Sequence, residues 1–84
     1  MNKLKLISTS EIQIARNSGY TVHQSEEGYY LDIRECIDKL VFAMRTYGGS
    51  FSRHIAEALV VADVENEAKL LECFRELFVK YLKF

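Results

Sequence analysis

Residues 29–44 read YYLDIRECIDKLVFAM, and the hydrophobic period changes inside that stretch. Tyr29-Tyr30-Leu31 is an aromatic and aliphatic run of the kind that suits a pleated strand. From Asp32 onward the pattern is different. Ile33, Cys36, Ile37, Leu40, Val41, Met44 and Tyr47 fall on one face at about 100° per residue, the helical step. Asp32 stands where an N-cap carboxylate belongs, and Glu35 follows three residues later. A strand that hands over to an amphipathic helix predicts an α+β fold.

Toward the N-terminus, Tyr20-Thr21-Val22-His23-Gln24 is a second β-branched and aromatic run. Ser25-Glu26-Glu27-Gly28 between the two runs predicts a four-residue hairpin loop, with Gly28 at a positive φ. Lys3-Leu4-Lys5-Leu6-Ile7 alternates polar and apolar residues, a short strand. Ser8 and Glu11 have the spacing of a capping box. They open a short helix that ends near Asn17-Ser18, with Gly19 as its left-handed cap. Because a two-stranded ribbon is marginal alone, it must pair with the N-terminal strand or lie on helices.

Toward the C-terminus, the helix from Asp32 ends at Gly48, and a second runs from Ser50 or Ser52 to Ala62. Ile55, Ala56, Ala58, Leu59, Val60, Val61 and Ala62 leave that second helix little polar face, so it is expected to be buried. Asp63 caps the last helix, with Glu65 and Glu67 near its positive end and Lys80 and Lys83 near its negative end. Ala68, Leu70, Leu71, Cys73, Phe74, Leu77, Phe78, Val79, Tyr81 and Leu82 cover roughly two-thirds of its circumference, more than one neighbour can bury. Such a helix is either central to the fold or meets another copy of the chain. The expected architecture is one α+β domain over residues 1–84, a short N-terminal strand and a β-hairpin packed on a three-helix C-terminal unit. The alternative is an all-α fold in which residues 20–31 are irregular.

At 84 residues and 49% hydrophobic, the chain carries enough apolar material for one core without a metal or disulfide staple. Its formal charge of −1 lacks the basic surplus of most nucleic-acid modules. No stretch has the length of a membrane span, and Lys5 breaks the only apolar run near the start. With no export signal, these features predict a cytoplasmic protein whose thiols, Cys36 and Cys73, are reduced; the two form no C-x-x-C pair.

Residues 45–54, RTYGGSFSRH, crowd hydroxyls, glycines and cations at one junction. Arg45, Gly49, Ser50, Ser52, Arg53 and His54 could bind an anion at a helix start, serving a nucleic acid or a nucleotide phosphate. The stretch is neither a Walker loop nor a Rossmann fingerprint. It reads more simply as a corner: Gly48 stops one helix, Gly49 turns the chain, and Ser50 or Ser52 caps the next while Phe51 packs beneath. His23, His54, Cys36 and Cys73 have no metal-site spacing, so no metal and no cofactor are expected. No constellation suggests an enzyme.

The aromatic residues point to protein contacts instead. Phe42 lies opposite Leu40 and Met44, among Glu35, Asp38, Arg45 and Thr46. Phe42, with Phe74, Phe78, Tyr81 and Phe84 from the broad face of the last helix, is the expected interface. Tyr20, Tyr29 and Tyr30 could form a base-stacking platform, but lack neighbouring lysines or arginines in sequence.

Tyr47-Gly48-Gly49-Ser50-Phe51, Ala56-Glu57-Ala58, Ala62-Asp63, Asn66, Lys69-Leu70, Phe74, Phe78 and Tyr81 form a longer pattern. Over residues 42–82 it resembles small, uncharacterised proteins of tailed phages and prophages. Those relatives often carry a proline before the aromatic-rich end. Here Arg75-Glu76-Leu77 follows Phe74, and its absence of proline predicts a continuous last helix. The resemblance implies a phage setting and a bacterial host protein as partner. The expected function is a non-enzymatic protein-binding module, self-associating with a dimer favoured, that inhibits a host defence or regulatory protein.

Overall fold

The computed structural model describes residues 2–84. The chain runs β1 (Lys3–Leu6), α1 (Thr9–Asn17), β2 (His23–Ser25), β3 (Gly28–Asp32), α2 (Ile33–Tyr47), α3 (Ser50–Val61), α4 (Val64–Cys73) and α5 (Arg75–Lys80). A 3₁₀ turn over Tyr81–Lys83 follows. The fold is α+β, with an antiparallel sheet in the order β1-β3-β2.

The N-terminal strand completes the hairpin, which supplies the third strand the ribbon needs. Leu4 lies opposite Leu31 and Leu6 opposite Tyr29, so the alternation in β1 puts both leucines on the core face. Lys3 and Lys5 point the other way and are exposed. The hairpin is tighter than expected. Ser25 pairs with Gly28, so the loop is Glu26-Glu27 alone. Gly19 and Gly28 hold the positive φ values, 88° and 130°, which their neighbours in sequence predicted.

Local capping follows the sequence closely. Ser8 Oγ accepts from the Glu11 N–H at 3.1 Å, while the Glu11 carboxylate accepts from the Ile7 N–H at 2.9 Å. Asp32 accepts from the Arg34 N–H and so starts α2 at the last residue of β3. Asp63 does the same for α4 through the Asn66 N–H at 2.8 Å.

Three expectations are corrected. The last helix is not continuous: α4 stops at Cys73, Phe74 leaves helical geometry at φ −114° and ψ 26°, and α5 starts at Arg75. The C-terminal unit therefore has four helices and a 3₁₀ turn rather than three helices. The break lets one broad apolar face bury in two directions, with Leu71 on α4 and Phe78 and Leu82 beyond it all in the core. Nor is α3 buried all round. Ser52, Ala56 and Leu59 face inward, while Val60 and Val61 are exposed. Finally, no serine caps α3. Gly49 is its N-cap with no side-chain bond, because Ser52 is drawn into the core.

Leu4, Leu31, Ile33, Leu40, Met44, Leu59, Phe78 and Leu82 are the large side chains that lie fully buried. They come from both strands flanking the β1–β3 ladder, from α2 and α3, and from the C-terminal turns. The sheet and the helices thus share one core.

Candidate functional site

The RTYGGSFSRH corner is where α2 meets α3, and it is closed from beneath by the C-terminus. Gly48 sits at an ordinary φ of −88°, so a left-handed turn is not what it provides. A Cβ there would lie 2.8 Å from Ser52 Cβ and 3.2 Å from the Tyr81 hydroxyl, besides striking the Met44 carbonyl. Close approach is the reason for glycine. Ser52 Oγ and Tyr81 OH are hydrogen-bonded at 3.1 Å inside the core.

That arrangement breaks up the expected anion site. Ser52 is buried on Tyr81 and faces no ligand. The Arg45 guanidinium is paired with Glu57 on α3. This partner raises the arginine pKa further and holds the Glu57 carboxyl below its ordinary value, with Arg53 and His54 adding to the second effect. The cations gathered by the corner therefore face a carboxylate of their own chain. Gly49, Ser50, Arg53 and His54 remain exposed there.

The expected interface divides as well. Phe78 and Tyr81 are buried, Phe78 completely, so both are core residues and not contact residues. The broken helix turns them inward. Phe42 stays on the surface at 66% exposure, and Phe84 is exposed while its ring stacks on Tyr47 at 4.8 Å. Phe51 does not pack beneath the corner. It is 60% exposed and meets half-buried Phe74 edge-on at 5.8 Å.

Beside that aromatic pair lies a groove that no sequence motif announces. It is about 500 Å³ in volume and runs between α3 and α4, which are joined only by Ala62-Asp63. Ala58, Val61 and Ala62 form one wall, and Leu70, Cys73 and Phe74 form the other. Asp63, Asn66 and Lys69 supply its polar rim. Its signal in the sequence is spacing alone. Residues 66, 69, 70 and 73 are spaced as one helix face, and 58, 61 and 62 as another. What pairs the two faces is the antiparallel turn between them, which the contact of Phe51 with Phe74 demonstrates.

The three tyrosines do not form a platform. Tyr20 is buried in the core and belongs to no strand, and Tyr29 lies on the core side with Leu31. Tyr30 is alone on the open face, flanked by Lys3 Nζ at 4.3 Å and by the stacked His23 ring at 5.4 Å. His23 in turn contacts Glu35 at 2.7 Å. Among the described residues no group of three or more His, Cys, Asp or Glu side chains is placed to hold a metal ion. Cys36 and Cys73 are both free thiols, the first buried and the second exposed in the groove wall. No helix of the described residues is long and apolar enough to cross a membrane.

Comparison with family models, with curated proteins and with solved structures finds no match for this chain.

Proposed function

We propose that this chain is a non-enzymatic protein-binding module of phage type, which acts in the bacterial cytoplasm by occupying a host defence or regulatory protein. The observation that carries this reading is the aromatic surface. Of ten aromatic residues, Phe42, Tyr47, Phe51 and Phe84 stay exposed although the core beneath them is closed. Aromatic residues left on a surface beside other apolar groups are the usual anchors of protein contacts.

The sequence pattern that resembles phage proteins is in keeping with the same reading. Its Gly48, Ala56, Phe78 and Tyr81 serve the core or the corner. Ala58, Ala62, Asp63, Asn66, Lys69, Leu70 and Phe74 all line the surface groove, although Leu70 and Phe74 also pack against the core. A phosphate-binding role at Gly48-Gly49 has less behind it, since Glu57 and Tyr81 already engage Arg45 and Ser52.

The test is capture from a host-cell extract by the wild-type chain and by Phe42→Glu and Phe84→Glu. Both positions are exposed, so thermal unfolding should stay within about 1 kcal/mol of wild type. Loss of a specific captured protein in either variant is the expected result. If both variants retain everything the wild type retains, the aromatic surface is not the contact and the reading fails.

A further inference from the structure

We infer that the groove between α3 and α4 is covered by the same groove of a second copy, so that the working unit is a two-fold dimer. The inference rests on reading the apolar surface as protein-binding, and it names the occupant of one part of it.

The first argument is shape. The groove ends at Phe74, on which Phe51 stands edge to face from outside the lining, and smaller side chains, Val61 and Ala62, make its wall beside the α3–α4 turn. A two-fold axis across the middle of α4 exchanges those ends. It lays each copy's aromatic pair over the other's Val61 and Ala62, and 81% exposed Val61 gains its missing cover. Such self-complementarity, with i on j and j on i, is what an isologous contact requires.

Charge gives the second argument. Lys69 makes no ion pair among the described residues, and Asp63 makes none either while its carboxylate caps α4. An axis crossing α4 between Asn66 and Lys69 sets each Lys69 opposite the second copy's Asn66. The second copy's Asp63 is then about one helical turn, roughly 5 Å, further along and within a lysine's length. A rim with one cation and one anion on either side of its midpoint matches itself when reversed. An amphipathic helix from another protein would need no such symmetry.

Phe42 and the Tyr47–Phe84 stack lie outside the groove lining and stay free for a different partner.

The experiment is sedimentation equilibrium over micromolar to high-micromolar concentrations, with thermal unfolding run on each variant. Wild type should approach twice its 9.7 kDa chain mass. Val61→Glu and Lys69→Glu should each weaken self-association by about tenfold or more, while Phe42→Glu should not alter it. Wild type that stays monomeric throughout overturns the inference, as does a dimer indifferent to both groove variants. The protein-binding reading is separable from this outcome. A monomer that still captures a host protein through Phe42 or Phe84 overturns the second copy alone, whereas a monomer with no such capture overturns both.

Discussion

Ser52 Oγ and Tyr81 OH lie 3.1 Å apart in the core, and this bond ties the first turn of α3 to the C-terminal 3₁₀ turn 29 residues away. Both residues are buried, so each hydroxyl is satisfied by the other. Ser52→Ala or Tyr81→Phe leaves one buried hydroxyl unpaired and should cost about 1–3 kcal/mol in urea unfolding. The double variant should cost less than the sum. Additive losses would show that the two groups do not act as a pair. Tyr81→Glu should not fold at all, which removes it as a probe of any interface.

The adjacent glycines should behave differently. Gly48→Ala forces a Cβ against Ser52 and Tyr81 and should destabilise by about 2 kcal/mol. Gly49 has open space around the same position and a negative φ. Gly49→Ala should therefore be far milder, within about 1 kcal/mol of wild type, because the entropy it removes from the unfolded chain is set against alanine's poorer fit as the N-cap of α3. Equal effects at the two sites would refute the steric account of the corner.

Glu11 and Arg75 together act as a substitute strand on the outer edge of β1. Arg75 donates to the Lys5 carbonyl at 2.9 Å and grips both oxygens of Glu11, whose carboxylate also accepts from the Ile7 N–H. That satisfies edge groups which would otherwise be open to pairing with another chain. The Arg75 bond lowers the Glu11 pKa below its ordinary 4.5, against burial, which raises it. A depressed carboxylate contributes stability that is present above the ordinary value and is lost as pH falls through the folded one. Glu11→Gln should cost about 2 kcal/mol near pH 7, and the gap to wild type should close as the solution is acidified below 4.5. A pH-independent gap would mean that packing, not charge, holds this edge.

The two thiols should react at very different rates. Burial, helped by Asp32 and Glu35, pushes the Cys36 thiol up to about 12, while Cys73 lies exposed on the groove wall. Thiolate is the reactive form. Pulsed alkylation of the native protein followed by mass spectrometry should label Cys73 first and Cys36 only on unfolding. Comparable labelling of both would contradict the burial of α2 against the sheet.

Most of the local structure was legible along the chain. Ser8, Asp32 and Asp63 marked three helix starts because capping depends on residues within three positions of each other. Gly19 marked the end of α1 for the same local reason. The second strand of the hairpin is visible in its residue types, but the first begins only at His23, leaving Tyr20-Thr21-Val22 outside the sheet, and the two-residue loop is not visible, since register is settled by which backbone groups pair across β2 and β3. The candidate sites fared differently. Phe42 and Phe84 were legible as exposed aromatics, whereas Phe78 and Tyr81 looked equally available and are not.

By itself, then, the sequence favoured the α+β class over an all-α alternative and determined the caps at Ser8, Asp32 and Asp63 and the corner at Gly48-Gly49, features read from near neighbours along the chain. Tertiary structure alone decided three things. It broke the last helix at Phe74 without a proline, because Arg75 is held by Lys5 and Glu11 while Phe78 is taken into the core. It removed Ser52 from capping and gave it to Tyr81. And it set α3 against α4 so that two unremarkable helix faces became one groove. Each depends on residues far apart in the chain, whose meeting no local period records.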